Sequence, residues 1–360
     1  LGGLLNKLLP LILWIFLSIW TVSAQRVYAG QSIEEILALP EDQIDTGHAC
    51  LVLAKDAYPD LNVAAFDRLL DEMASRINTL LRGRSEPEQR IGMTNTYLYR
   101  PGWWNGNIAF EYNRDDLLAQ KKESQFLNGY LATRKGSCLT MAMLYLALAD
   151  RLGWPIRAVR APSHYFCRYV GMKDGNIEAT SFGGFSPDSA YITDLKIPEE
   201  AVRSGAYMKT LTRKEYLATL LEVNARLYHD RGDLRKAIYY LELSVANDPA
   251  FSGGHWNLAN YTYRYAKKLA AEKDQAAAGG RFLPPGYAGS PQMRQLEEQS
   301  AATVRMRYGD VIAGLIAKSD WHRAKAKELG IVLESPEEFL KSQLENIAKN
   351  DEKARAEGIQ

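Results

Sequence analysis

Three side chains near the middle of the chain have the types that thiol chemistry needs. Cys138 follows Gly136 and Ser137 at the mouth of an apolar run, His164 comes 26 residues later, and Glu178 another 14 beyond that. In such chemistry a thiolate attacks a carbonyl, an imidazole takes and returns the proton, and an acceptor fixes the imidazole's tautomer. If Ser137 caps a helix, Cys138 lies in its first turn, where unpaired N–H groups and the positive end of the dipole favour an anion. Arg134 and Lys135 stand just upstream and add positive charge. Asn176, two residues before Glu178 on the same strand face, is the alternative orienting residue. For an oxyanion the backbone N–H of Cys138 is the default donor, with the side-chain amides of Asn128 and Gln125 as further candidates. Cysteine is also among the most buried residues and often packs as a small hydrophobe, so local sequence alone fits a core role for Cys138.

The elements that must position these groups are legible from periodicity. Residues 138 to 152, "CLTMAMLYLALADRL", are apolar almost all round, which predicts a helix buried on most sides and stopped by Gly153 and Pro155. The period then changes. "IRAVRAP", "HYFCRYV" and "NIEAT" are short, rich in β-branched and aromatic residues and divided by Pro162 and "GMKDG", so they predict three consecutive strands, the last two a hairpin. On such a strand His164 and Phe166 share one face and Cys167 takes the other. Cys167 therefore reads as core, or as a disulfide partner for Cys50. The three cysteines cannot all pair with one another.

Upstream, residues 31–82 show helical spacing and predict a packed cover, and "YLYRPGWWNGNIAFEYNRDD" predicts a structured loop leading to the central helix. Trp103 and Trp104 in that loop could line a groove, although aromatic pairs more often pack a core. Downstream of about residue 212 the chain predicts helices only. Leu221, Ala225, Tyr228, Gly232, Ala237, Leu241, Ser244 and Pro249 fall at the spacing of a tetratricopeptide repeat, and a second repeat starts near residue 255 and fades. The expected organisation is a catalytic-type domain with its cover over 31–212, tetratricopeptide-like helices over 213–275, a loop over 279–292 and charged helices over 293–357.

Residues 1–24 predict a signal peptide: Lys7 precedes an apolar run from Leu8 to Val22, and small residues precede Gln25. Export to the periplasm is the expected consequence, the alternative being an inner-membrane anchor formed by residues 8–22. The full chain carries 44 cationic and 43 acidic residues, and no basic run interleaved with aromatics, which excludes a nucleic-acid partner. His48, His229, His255 and His322 lack metal-ligand spacing, and no phosphate or dinucleotide fingerprint occurs, so neither a metal nor a cofactor is expected.

The stretch "GSCLTMAMLYLALADRLGWPIRAVRAPSHYFCRYVGMKDGNIEATSFGG" resembles the transglutaminase-like superfamily, with its G-x-C helix start, its histidine on the following sheet and an acid in a D-x-T-like motif. "LVLAKDAYPDLNVAAFDRLLDEMASRI" resembles the helical cover of bacterial members that end in tetratricopeptide repeats. The likeness spans about residues 45–260. It implies an α+β fold with a papain- or transglutaminase-like core, an N-terminal helical cover and an all-α region after it. It also implies Cys138 as nucleophile, His164 as base and Glu178 as the third member, although Glu178 stands where the family has aspartate. The implied activity is acyl transfer on a protein or peptide substrate, hydrolysis in preference to cross-linking. The alternative is an inactive scaffold that grips a protein partner through its tetratricopeptide-like helices.

Overall fold

The computed structural model describes residues 28–279 and 291–356. The segment expected to be a signal peptide, 1–24, lies outside the described residues, as does most of the loop expected at 279–292. Among the described residues, five α-helices precede the central one: α1 (Ile33–Ala38), α2 (Thr46–Ala54), α3 (Val63–Leu81), α4 (Pro87–Tyr99) and α5 (Leu127–Thr133). The central helix α6 (Cys138–Leu152) is buried along nearly its whole length and is surrounded by α2, α3 and the main sheet. Its all-round apolar sequence is what such a position demands, because no face meets water. Leu144 and Leu148 are fully buried, and truncating either to alanine would cost about 2–5 kcal/mol.

The main sheet has four strands in the order β3 (Ile156–Ala161), β4 (His164–Tyr169), β5 (Asn176–Glu178) and β6 (Gly184–Phe185), all antiparallel neighbours. Strand parity divides the side chains as the alternation predicts. Ala158, Cys167 and Ile177 join the large core around α6, whereas Val159, Ala161 and Phe166 pack in a second core on the other face with Tyr191 and Ile197. Cys50 and Cys167 are both buried in the large core as free thiols, so the pairing held open for them does not form. Core packing is the role each has.

The aromatic stretch before α5 is not only loop. It contains β1 (Glu111–Tyr112), which pairs in parallel with β2 (Lys135–Gly136) immediately before Cys138. A two-residue parallel pair between segments more than twenty residues apart leaves no period in the sequence, which is why periodicity missed it. Trp103 is 74% exposed and stacks edge-on against Trp104.

After the sheet come α7 (Asp188–Asp194) and α8 (Glu199–Arg203), followed by the helical region α9 (Arg213–Asp230), α10 (Leu234–Asn247), α11 (Ser252–Gly279), α12 (Pro291–Glu328) and α13 (Pro336–Ala356). Helix α9 opens with a capping box in which Thr212 accepts from the Glu215 N–H and Glu215 accepts from the Thr212 N–H. The helices from α9 to α12 pack one on the next, and α9 also contacts α2 and β3. The last helix, α13, returns to the core domain through an ion pair between Asp351 and Arg114 and a hydrogen bond from Asn350 to the Thr180 carbonyl. The helical region is thus tied to the first domain at both ends.

Candidate active site

Cys138 is the first residue of α6. Ser137 caps the helix: its Oγ accepts from the Thr140 N–H at 3.5 Å, and its own N–H donates to Thr140 Oγ1 at 2.9 Å. A second bond, from Ser137 Oγ to the Ser124 carbonyl at 2.8 Å, ties the helix start to the preceding loop. The cap fixes where the thiol emerges. The two upstream cations do not face it: Arg134 donates to the Asn105 and Ile108 carbonyls and lies over Phe110, and Lys135 pairs on the surface with Glu111 at 3.4 Å and Asp115 at 3.5 Å. The additional positive field expected from them is therefore spent elsewhere.

His164 opens β4 directly after the tight turn Pro162–Ser163, in which Ala161 and His164 are paired and Ser163 adopts φ +51°. That left-handed conformation is uncommon for a residue with a Cβ and is held here by the pairing on either side. The ring stacks with Phe166 and Tyr191, and Nε2 meets Glu178 Oε2 at 2.6 Å. The thiol of Cys138 lies near enough to act on the ring, contributing to the hold on its proton. Since Nε2 is on the carboxylate, Nδ1 is the nitrogen left for sulfur.

Glu178, 8% exposed, ends β5 and is saturated with donors. Oε1 accepts from the Thr180 N–H at 3.0 Å and its hydroxyl at 2.6 Å, while Oε2 accepts from the Tyr191 hydroxyl at 2.9 Å in addition to His164. Burial works against ionisation of this carboxyl, but the His164 charge and the bonds from His164 and Thr180 carry it below its ordinary range. Burial likewise works against a charged His164. The Glu178 charge, the Cys138 thiol and the hydrogen bond to Glu178 outweigh it and hold the imidazolium well above the usual histidine range. The arrangement therefore stabilises a protonated imidazole between a carboxylate and a sulfur.

Asn176 does not share this work. Its Oδ1 accepts from Arg168 at 2.7 Å and its Nδ2 donates to the Ser186 carbonyl and to Asp188, so the choice between the two orienting candidates falls geometrically on Glu178. Gln125 borders the cavity that Cys138 lines, but its amide nitrogen donates to the Ala119 and Gln120 carbonyls. Asn128 is buried within α5 and lines neither cavity at the site. The two amides are thus not gathered with the other three side chains.

Sequence reasoning passed over Tyr112. Pairing of Tyr112 with Gly136 places its ring beside the start of α6, and it lines both cavities at the site. Its hydroxyl donates to Gln343 Oε1 of α13 at 3.0 Å. Burial, followed by the charges of Cys138 and Glu178, pushes this phenol above its ordinary value, which keeps it a donor. One cavity, about 590 Å³, runs past His164, Glu178 and Tyr112 beneath α13. The other, about 500 Å³, runs from Cys138 toward α9 and α11. Both fall in the size range of small-molecule sites.

Residues 64–192 match a family model described as the transglutaminase-like superfamily, which contains Cys138, His164 and Glu178 but stops short of the helical region after residue 213. Two curated relatives, each called a UPF0162 protein, come from Xylella fastidiosa strains Temecula1 and 9a5c. Each is 26% identical over 137 residues, which is 38% of this chain and 46% of the relative. The chain thus spans about half the length of the curated relatives it matches. No solved structure gives a significant match.

Proposed function

Taking a transglutaminase-like core as the premise, we propose that the protein is a thiol acyl-transfer enzyme acting on peptide or amide bonds. Cys138 attacks the carbonyl, His164 takes the thiol proton and delivers it to the leaving amine, and Glu178 holds the ring so that the nitrogen facing sulfur is the reactive one. The reading rests on one observation above all: His164 Nε2 is held by Glu178 at 2.6 Å while Cys138, at the capped start of α6, lies near enough to help hold the ring's proton. A scaffold that merely inherited the fold would have no use for that linkage beside two cavities.

The acyl-enzyme can be resolved by water, giving a peptidase or amidase, or by an amine, giving a cross-link. We favour water, on the family resemblance. The oxyanion is assigned to the backbone N–H of Cys138. Export to the periplasm, directed by the apolar segment after Lys7, belongs to the same proposal; none of the described helices is long and apolar enough to cross a membrane. We also assign to α9 and α10 a tetratricopeptide-like role, in which they face a protein partner, α9 at the same time walling one side of the site.

The test is capture of the intermediate. Protein mixed with a peptide library and quenched in acid should carry an acyl adduct on Cys138 that hydroxylamine removes, and adding a primary amine should divert little of it into conjugate. An adduct that appears equally in Cys138→Ala, or a complete lack of adduct with any peptide, would refute the enzyme reading. A product made up chiefly of amine conjugate would turn hydrolysis into cross-linking.

A further inference from the structure

Helix α13 is tied down differently from the chain just before it. Where α12 ends, Leu329 is buried in the second core, and its carbonyl accepts from the Ser204 hydroxyl at 2.9 Å. Gly330 lies so close to α8 that a Cβ there would come within 2.8 Å of the Ala201 side chain, and the Val332 N–H donates to the Tyr207 hydroxyl at 3.3 Å. Beyond Val332 that hold stops. Leu333 is exposed, residues 333–335 have no regular structure, and of the 21 residues of α13 only Gln343 is buried among those described. Leu340 and Leu344 are exposed. A helix usually gains its stability by burying an apolar stripe, whereas this one is held by polar side chains. Gln343 Oε1 accepts from the Tyr112 hydroxyl at 3.0 Å, Asn350 Nδ2 donates to the Thr180 carbonyl at 3.3 Å, and Asp351 pairs with the exposed side chain of Arg114. Ion pairs at the surface contribute little and weaken with salt. An element fastened in this way opens well before the core does.

We propose that α13 is an autoinhibitory strap, laid across the path of a peptide substrate and swinging away about residues 333–335 to admit it. Phe339, Gln343, Ile347 and Asn350 line the cavity of about 590 Å³ together with His164 and Glu178. Phe339 and Leu333 also line the cavity that Cys138 borders. The polar ties of α13 land beside the reactive groups. Tyr112 pairs with Gly136 just before the helix of Cys138, and Thr180, whose carbonyl Asn350 takes, holds Glu178 Oε1 through its N–H and its hydroxyl.

This inference rests on the acyl-transfer reading and adds the regulation of the same site. A peptide bond presented to Cys138 carries chain on both sides, each extended residue adding about 3.3–3.6 Å. With α13 in place the cavities have the size that suits a small group, and the α13 side chains stand where the rest of the chain must pass. Phe339 walls both cavities, so its departure opens the boundary between them. The same movement releases the Tyr112 hydroxyl from Gln343 and returns it to the site.

Two reagents for Cys138 with the same chemistry and different size separate the closed state from the open one: iodoacetamide, and a hexapeptide carrying an N-terminal iodoacetyl group. Each rate is referred to that of the same reagent with glutathione. In the full chain the peptide reagent should be the slower by about tenfold or more, in proportion to the open fraction. Replacing Gln343, Asn350 and Asp351 together by alanine should raise the peptide rate by about tenfold and leave the iodoacetamide rate within about twofold. Raising NaCl from 50 to 500 mM should move the native protein the same way, because it screens the Arg114–Asp351 pair. Amide hydrogen exchange of the native chain needs no variant: the amides of α13 should exchange about a hundredfold faster than those of α6. Exchange as slow as that of α6, or the same ratio of the two alkylation rates in native and substituted protein, overturns the inference. A peptide rate raised in the substituted protein, with no acyl adduct from any peptide, would uphold the strap and defeat the enzyme reading. An acyl adduct formed equally fast in both proteins would do the reverse.

Discussion

The protein contains two buried histidine–carboxylate pairs of nearly equal length, and they do different things. His48 Nδ1 meets Asp67 at 2.8 Å and His164 Nε2 meets Glu178 at 2.6 Å. In the first, the remaining ring nitrogen is used by the Gly30 carbonyl at 2.8 Å, and Asp67 is bound in turn by Arg151, which also reaches Asp45 at 2.7 Å and Asp71 at 3.1 Å. Both nitrogens are consumed by the protein, and the cluster fastens α2 and α3 to the C-terminal end of α6. In the second, no hydrogen bond to backbone takes the remaining nitrogen among the described residues, and the Cys138 thiol at the N-terminal end of the same helix acts on the ring, with cavities alongside. A histidine–carboxylate pair is a structural clasp when its second nitrogen is spent on backbone. It becomes a proton carrier when that nitrogen is left for a nucleophile.

The contrast breaks most sharply at Cys138. Cys138→Ser should lower acyl transfer by about a thousandfold or more, and native labelling by iodoacetamide, mapped by peptide mass, should vanish with it. Cys50 and Cys167 should stay unlabelled in the folded protein, because both are buried and burial pushes their thiols well above the ordinary range. At the clasp, Arg151→Ala should destabilise folding by about 3–5 kcal/mol, since it strands Asp45 and Asp67 as buried carboxylates. Urea titration measures this loss, and the alkylation rate of Cys138 in the folded fraction should not follow it.

A milder change separates positioning from folding. Glu178→Gln keeps the shape but removes the charge that holds His164 protonated, and turnover should fall about ten- to a hundredfold, at the lower end of what a positioned acid–base group contributes. The smallest effect is in pH dependence. Both histidines have raised values in the folded state: for each, burial works the other way, and the hydrogen bond and charge of Asp67 or the charge of Glu178 prevail. The stability that each contributes is thus complete below its unfolded value of about 6.5 and is lost as pH rises through its folded value. Urea midpoints of the native protein should fall as pH rises above about 6.5, and His48→Gln and His164→Gln should each flatten part of that slope.

How much of this was legible in the sequence depends on the range of the interaction. The buried helix from Cys138 to Leu152, the strands around His164 and Glu178, and the division of His164 and Cys167 between two faces all follow from local periodicity, and the structure has them so. Tyr112 was invisible because its position depends on a two-residue parallel pairing across an irregular loop. The hydrogen bond from Tyr112 to Gln343 joins residues 231 apart, and no pattern in either segment announces the other. Arg134 and Lys135 show the opposite failure. Their place in the sequence suggested a field at the thiol, but both side chains turn toward acceptors on the far side of β2.

The central claim is that the second nitrogen of His164, and not that of His48, serves a nucleophile. The direct measurement is the rate at which iodoacetamide alkylates Cys138 at pH 7, followed by mass in the native protein, in His164→Ala and in His48→Ala. The account predicts that His164→Ala slows alkylation by about tenfold or more, because the thiolate loses its proton acceptor and partner, while His48→Ala leaves the rate of the folded protein unchanged. The same rate in all three proteins would contradict it.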